Sequence, residues 1–223
     1  MINYNQIKMP TSYKILCFFL LILTVSSCAE KQQQRVGIQT STSTQPDACD
    51  SPDADIECYF INMPETLEST MIIPSEGETA EELIITGTIF KADGKTPYQN
   101  VILYAYHTDS KGYYSKRGNE TGIQKWHGKL HGWCKTDSSG RYTIKTIRPA
   151  PYPNNSIPAH IHSAIKMPDN FSLHINDFVF TDDPLVNEKY KSSFVREVGG
   201  TGIIELKKID NTWIGQRDIV LDN

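Results

Sequence analysis

The chain lacks the features that would mark it for nucleic acid or for the interior of a membrane. Lysine and arginine number 22 against 26 acids, a formal charge of −4, and the two signs are spread without a basic run. Phosphate backbones are held by concentrated positive surface, so nucleic acid is a poor partner. The longest apolar run, ILCFFLLILTV at 15–25, falls short of the about 20 residues a spanning helix needs. Cysteines are few, at five, and histidines number six. After residue 80 no stretch keeps a helical period, which sets helix bundles aside. A length of 223 residues suits one well-buried domain with a terminal extension.

The first segment reads as an export signal rather than as part of the fold. Lys8 and Lys14 precede the apolar run without an acid, and Ser26 and Ser27 follow it; a basic start, a short apolar stretch and small residues before a cut site are its three parts. Val25-Ser26-Ser27-Cys28 resembles a bacterial lipobox, in which the cysteine becomes the lipidated first residue. The plainer alternative is an ordinary signal with an incidental cysteine. The chain is therefore expected to divide into a signal at 1–27, a lipidated N-terminus and flexible linker at 28–48, an irregular arm at 49–80 and a domain at 81–223. The linker is rich in Gln, Ser and Thr and has almost nothing to bury. The product is expected to be exported and held at the bacterial cell envelope, periplasmic or surface-facing, by lipid alone. In that oxidising compartment Cys49 and Cys58, bracketing DSPDADIE, form a small disulfide loop. Cys134 is expected as a buried small hydrophobe.

From residue 83 the apolar period becomes two. LIITGTIFK (83–91), NVILYAYHT (100–108), GWCKTD (132–137), GRYTIKTI (140–147), HIHSAIKM (160–167), LHINDFVF (173–180), GIIELKKI (202–209) and TWIGQRDIVL (212–221) read as strands, separated by turns such as ADGK and DSSG. This pattern predicts an all-β protein, an antiparallel β-sandwich with an irregular N-terminal arm.

On a strand, residues i and i+2 share a face, so His160 and His162 present two imidazoles side by side while Ile161 points into a core. One His-x-His pair is a weak motif alone, and two histidines bonded to their neighbours would be the bland reading. The setting adds chemistry. Three prolines in PAPYP hold the backbone around Tyr152, and Tyr114 follows the turn DSKG. Phenolate is a hard anionic donor, and two imidazoles with phenolates suit ferric iron better than zinc. His127 and His131 have helical ligand spacing, but two glycines and a strand-like context argue against a helix and a second metal site. Trp126 and Trp133 are candidates to flank an aromatic ligand, although core packing is the commoner use of tryptophan.

Four ordered segments within 84–187 resemble the intradiol ring-cleavage dioxygenases, the family that includes protocatechuate 3,4-dioxygenase. They are ITGTIFKADGKTPYQNVILYAYHTDSKGYY, GWCKTDSSGRYTIKTIRPAPYP, PAHIH and LHINDFVFTDDPL. The resemblance implies an Fe(III) centre with Tyr152 and His160 axial, Tyr114 and His162 equatorial, and a hydroxide as fifth ligand. It implies a catecholic substrate that displaces Tyr152 and the hydroxide, reacts with O2 and leaves as a muconate-type diacid. Tyr114 and Tyr152 are thus the expected catalytic residues as well as ligands.

Departures from the family pattern define the expected substrate pocket. Ile157 stands where an arginine precedes PAHIH, Asp177 stands for a glutamine, and Tyr106-His107 stands for a Trp-Gln pair. Trp133 completes the pocket candidates. Losing a preorganised cation lowers the rate by about a hundredfold or more, unless Arg117 or Arg141 takes its place. Two readings follow: an iron dioxygenase acting on catechols outside the cytoplasm, or a tethered β-sandwich that binds iron or an aromatic ligand with weakened turnover or none.

Overall fold

The computed structural model of the chain describes residues 47–193 and 198–221. The expected signal, Cys28 and nearly all of the 28–48 linker lie outside these residues. No helix among the described residues is long and apolar enough to cross a membrane.

Two sheets face each other. In the first, β1 (Thr70–Ile72), β5 (Arg141–Ile147), β2 (Glu82–Phe90), β10 (Thr212–Gln216) and β9 (Leu206–Ile209) lie in that order, and β11 (Ile219–Val220) pairs with the end of β2. In the second the order is β4 (His131–Lys135), β3 (Ile102–His107), β6 (His160–Lys166), β7 (Ser172–Phe180) and β8 (Ile203–Ile204). Each strand expected from the sequence is present, and the last two break. GIIELKKI splits into β8 and β9, one in each sheet, so the chain changes sheets at Glu205. TWIGQRDIVL splits into β10 and β11. The pairings among β2 to β7 are antiparallel, but β1–β5, β10–β2, β11–β2 and β7–β8 are parallel, so the sandwich is mixed at its margins.

Alternation in the sequence becomes a dry interior. Leu83, Ile85 and Ile144 from the first sheet meet Leu103, Ile161, Ile165 and Phe178 from the second, all fully buried. Each such side chain contributes about 1.5–3 kcal/mol of transfer free energy. Cys134 is buried there too, and its free thiol is pushed up to about 12 by burial.

The expected arm is less separate than a boundary at residue 81 implies. Thr70–Ile72 pair with Thr143–Lys145 and extend the first sheet. Upstream, the Cys49–Cys58 disulfide and a 3₁₀ turn at Ile56–Phe60 cap the outer side of the second sheet. There Tyr59 and Phe60 pack with Tyr104, Ile123 and Ala164 in a second cluster. Trp133 donates its indole N–H to the Tyr59 carbonyl at 2.8 Å. The sequence of 49–80 has no regular period, so this packing was not visible before the sheets assembled.

Candidate metal centre

The centre sits on the outer side of the second sheet, at the start of β6. His160 and His162 are the first and third residues of that strand, and Ile161 between them faces the core. Their Nε2 atoms are 3.0 Å apart. The two tyrosines come from loops. Tyr114 Oη lies 2.9 Å from His162 Nε2 and 2.6 Å from Tyr152 Oη, and Tyr152 Oη lies 3.4 Å from His162 Nε2. Two donors about 2 Å from a shared ion and at right angles stand about 2.8 Å apart. The four separations found here are of that size.

Both loops are built against each other. Asp109 Oδ1 accepts from the backbone N–H groups of Lys111 and Tyr113 at 2.8 and 3.0 Å, and Oδ2 accepts from the Ser115 hydroxyl. Its carbonyl also accepts from Ala150 N at 3.2 Å, and Thr108 Oγ1 donates to the Ala150 carbonyl at 2.6 Å. One buried residue thereby holds the Tyr114 loop and the approach to Tyr152. Gly112, at φ 83°, permits the contact: a Cβ there would lie 2.2 Å from the Pro151 carbonyl oxygen. Burial alone would raise the Asp109 carboxyl, but these donors hold it below its ordinary range.

A bulge brings in Asp177. Opposite His162, β7 carries Asn176 and Asp177 in place of one residue, since Ile161 pairs with Phe178 and Ser163 with Ile175. The extra residue turns Asp177 toward the histidine side while Ile175 and Phe178 both stay in the core. Asp177 Oδ1 then lies 3.0 Å from His162 Nδ1. Gly202, at φ 74°, backs the bulge, because a Cβ would lie 1.9 Å from the Asp177 carbonyl oxygen.

The donor set fits a hard cation. His160 Nδ1 is 2.7 Å from the Pro158 carbonyl, which only accepts, so that nitrogen carries the proton. Burial, then the neighbouring His162, keeps His160 below its ordinary titration range, so its Nε2 lone pair points into the cluster. Burial, then the Tyr152 hydroxyl, holds the Tyr114 phenol far above its usual range. Without a cation the site is closed by hydrogen bonds through the phenol protons. With one, those protons leave, as ligation requires. His160, His162 and Asp177 also bring one ligand atom each within 4.8 Å of one another, the makings of a two-histidine, one-carboxylate site. Asp177 meets His162 at Nδ1, however, and the phenols meet it at Nε2. An ion among the phenols therefore leaves Asp177 behind the ring, where it orients the imidazole.

The structure assigns the remaining pocket candidates differently from the sequence. Tyr106 is beside the centre, stacked on His162 at 4.7 Å and on His127 at 3.6 Å between ring centroids. Asp177 is a partner of His162 rather than a pocket wall. His107 faces the opposite side of β3, is buried, and bonds the Thr108 carbonyl and Thr146 Oγ1 at 2.7 Å each; it neither lines the pocket nor meets solvent. Trp133 packs on Tyr104 and clasps the arm. Ile157 is 39% exposed in the loop before β6. His127 closes a single helical turn, α1 (Gln124–His127), and bonds the Tyr104 hydroxyl at 2.8 Å, whereas His131 bonds the Gly128 carbonyl at 2.6 Å. They form no joint ligand pair. Trp126 is exposed beside Lys116. Neither Arg117 nor Arg141 replaces the missing arginine: Arg117 reaches Glu76 and Arg141 is held by Asp137. A cavity of about 450 Å³ between Pro151, Ala159 and Leu185 adjoins the segments of Tyr152 and His160, while one of about 430 Å³ near Gly87 and Arg141 is on the first sheet.

Residues 57–212 match the family model described as Dioxygenase. The chain belongs to the intradiol dioxygenase family. It is 31% identical over 126 residues to the catechol 1,2-dioxygenase of Acinetobacter baylyi, covering 56% of this chain and 40% of that one. It is 30% identical over 113 residues to the protocatechuate 3,4-dioxygenase beta chain of Burkholderia cepacia, covering 48% and 47%. These matches thus span less than half of each relative's length. Among solved structures, the wild-type catechol 1,2-dioxygenase of Acinetobacter radioresistens gives a TM-score of 0.54 at 18% identity, over 73% of this chain and 59% of that one. The dioxygenase domain of a carbohydrate-binding fusion from a cellulolytic Streptomyces gives 0.52 at 21%, over 68% and 86%. These likenesses establish the sandwich.

Within this intradiol dioxygenase family member, sequence reasoning missed Asp109 and Tyr59. Asp109 stood first in the turn DSKG, a position from which aspartate bonds the backbone two residues on, and that signal was available. Tyr59, from the arm, packs edge-on against Tyr106 and His127 at 6.2 and 4.7 Å. Nothing local announces that contact.

Proposed function

We propose that this chain is an Fe(III) intradiol dioxygenase that opens an ortho-diphenol between its two hydroxylated carbons and releases a muconate-type diacid. The observation that carries the reading is the convergence of Tyr114, Tyr152, His160 and His162 donors within 2.6–3.4 Å contacts. A bound ferric ion would supply the Lewis acidity that draws electron density from the diphenolate and opens its ring to dioxygen. The protein's residues do the rest. His160 and His162 hold position because the Pro158 carbonyl and Asp177 fix their tautomers. Tyr114 stays in place, tied by the Asp109 loop. Tyr152 would be the ligand that yields, its Oη taking up one diphenol proton. Tyr106 backs the centre, its ring stacked on both His162 and His127.

A second reading keeps the metal but not the turnover. It is favoured by Ile157 and by the engagement of Arg117 and Arg141 elsewhere. Iron-loaded protein is expected to be wine-red from phenolate-to-iron charge transfer, with oxygen uptake and a ring-opened diacid on a panel of ortho-diphenols. A colourless iron-loaded protein contradicts the ligand set; colour without uptake on any diphenol leaves the binding module. We also propose export and lipid attachment through Cys28, tested by loss of membrane association in Cys28→Ala.

A further inference from the structure

The loops and the arm leave one buried charge unexplained. Arg217 stands between β10 and β11 in the first sheet and is 5% exposed. It forms no ion pair with a carboxylate among the described residues. Its backbone is fixed on both sides: the N–H donates to the Thr86 carbonyl at 2.9 Å, and the carbonyl accepts the Tyr142 hydroxyl at 2.7 Å. The side chain crosses to the second sheet. Nη1 donates to the Asn176 carbonyl at 2.8 Å and Nη2 to the Gly199 carbonyl at 3.0 Å. The guanidinium carbon lies 4.3 Å from the Phe178 ring centroid, and Nε has no hydrogen-bond partner. Burial pulls this guanidinium down to about 10, while the Tyr142 and Asp177 charges act the other way, so it keeps its charge at neutral pH.

A buried cation without an acid is costly, and an apolar side chain packed on Phe178 would avoid that cost. What the guanidinium alone supplies is a fork of donors aimed at two carbonyls. The first carbonyl belongs to Asn176, which opens the β7 bulge. A bulge takes backbone groups out of the ladder, and a carbonyl so released needs another donor. The Asn176 N–H also turns away from β6, to the Val198 carbonyl at 2.9 Å. The next residue is Asp177, whose Oδ1 meets His162 Nδ1.

We propose that Arg217 is a positioning residue: from the first sheet it props the β7 bulge, so that Asp177 holds His162 in the Nδ1–H tautomer with Nε2 toward the phenols. Its consequence for iron rests on the Fe(III) reading above; its first test needs no metal.

That test is heteronuclear NMR of metal-free full chain carrying isotope-labelled histidine, at alkaline pH, where the ring tautomers are distinguished. In wild type His160 and His162 are each expected in the Nδ1–H form. In Arg217→Met, which keeps an apolar contact with Phe178, His162 should become a mixture of both tautomers. His160, held by the Pro158 carbonyl, should stay as it was. Iron titration should show about tenfold weaker binding. In an Asp177→Ala background the same substitution should change iron binding by less than about twofold, because the arginine acts through that carboxylate. If Arg217→Met does not fold, Arg217→Lys is read by the same criteria, since one ammonium does not reproduce the fork. An unchanged His162 tautomer, an equal loss at His160, or the full loss of iron affinity persisting without Asp177 overturns the proposal. If wild type itself binds no iron, the Fe(III) reading falls and the tautomer result alone decides the role of Arg217.

Discussion

The two sides of the second sheet use the same strands for opposite ends. On β3 and β6 the inward residues Leu103, Ala105, Ile161 and Ile165 are aliphatic and fully buried against the first sheet. The outward residues Tyr104, Tyr106, His160 and His162 are aromatic or ligating, and they are covered by an arm and loops rather than by another sheet. The inner side is generic: hydrophobic surface of about the right volume fills it. The outer side is specific, because the hydroxyls of Tyr104, Tyr114 and Tyr152 and the ring nitrogens of His160 and His162 each meet a named partner. Alternation lets one strand hold the fold with one side and the chemistry with the other, so damage to the two sides should separate cleanly.

The largest expected effect is on the outer side. His162→Ala should lower iron content and reduce oxygen uptake on the order of a thousandfold, from loss of several kcal/mol of charge stabilisation. Its urea midpoint should stay near that of metal-free wild type; a collapse of the fold would erase the distinction between the sides. Ile161→Ala, one residue away, should do the reverse. Unfolding titrations should show about 2–5 kcal/mol lost to the cavity, with iron per folded chain unchanged.

His107 sharpens the comparison with pH. It belongs to the inner side, and burial pushes its imidazole down to about 4. The unfolded chain binds this proton near pH 6.5 and the folded chain does not, so the stability it supports is complete above pH 6.5. That stability declines as pH falls toward 4, by on the order of 3 kcal/mol. In His107→Gln the urea midpoint should fall less steeply over that interval; an unchanged slope would mean that other groups carry the acid limb.

The smallest effect concerns the loops. Asp109→Ala removes the three acceptor bonds that shape the Tyr114 turn. About a tenfold fall in turnover is expected, with a shifted charge-transfer band. A normal band with normal turnover would show that Tyr114 is placed by packing alone.

Much of this was legible in the residues. LIITGTIFK and HIHSAIKM announced strands through their period, and the His160–Ile161–His162 geometry follows from a strand's two faces. Asp177 was visible only as a departure from a family pattern. Its position beside His162 needed the β7 bulge, which shows in LHINDFVF as a slip between Ile175 and Phe178. His107 sits one residue beyond Tyr106 and so takes the other face, which alternation implies; resemblance to a Trp-Gln pair had suggested the pocket instead. The parallel edge formed by Thr70–Ile72 had no local signal, because a three-residue strand gains its stability from its partner.

By itself the sequence determined the central strands, the inward and outward assignment of their side chains, and the donor types available, because these depend on local sterics and side-chain chemistry. Only the tertiary structure decided that the Tyr114 and Tyr152 loops meet over β6, that the arm caps the outer side, and that Asp177 faces His162. Those contacts join residues 10 to 48 positions apart and, for the arm, Tyr59 with Trp133. Their separation is set by sheet packing and loop closure, not by any property of the segments alone.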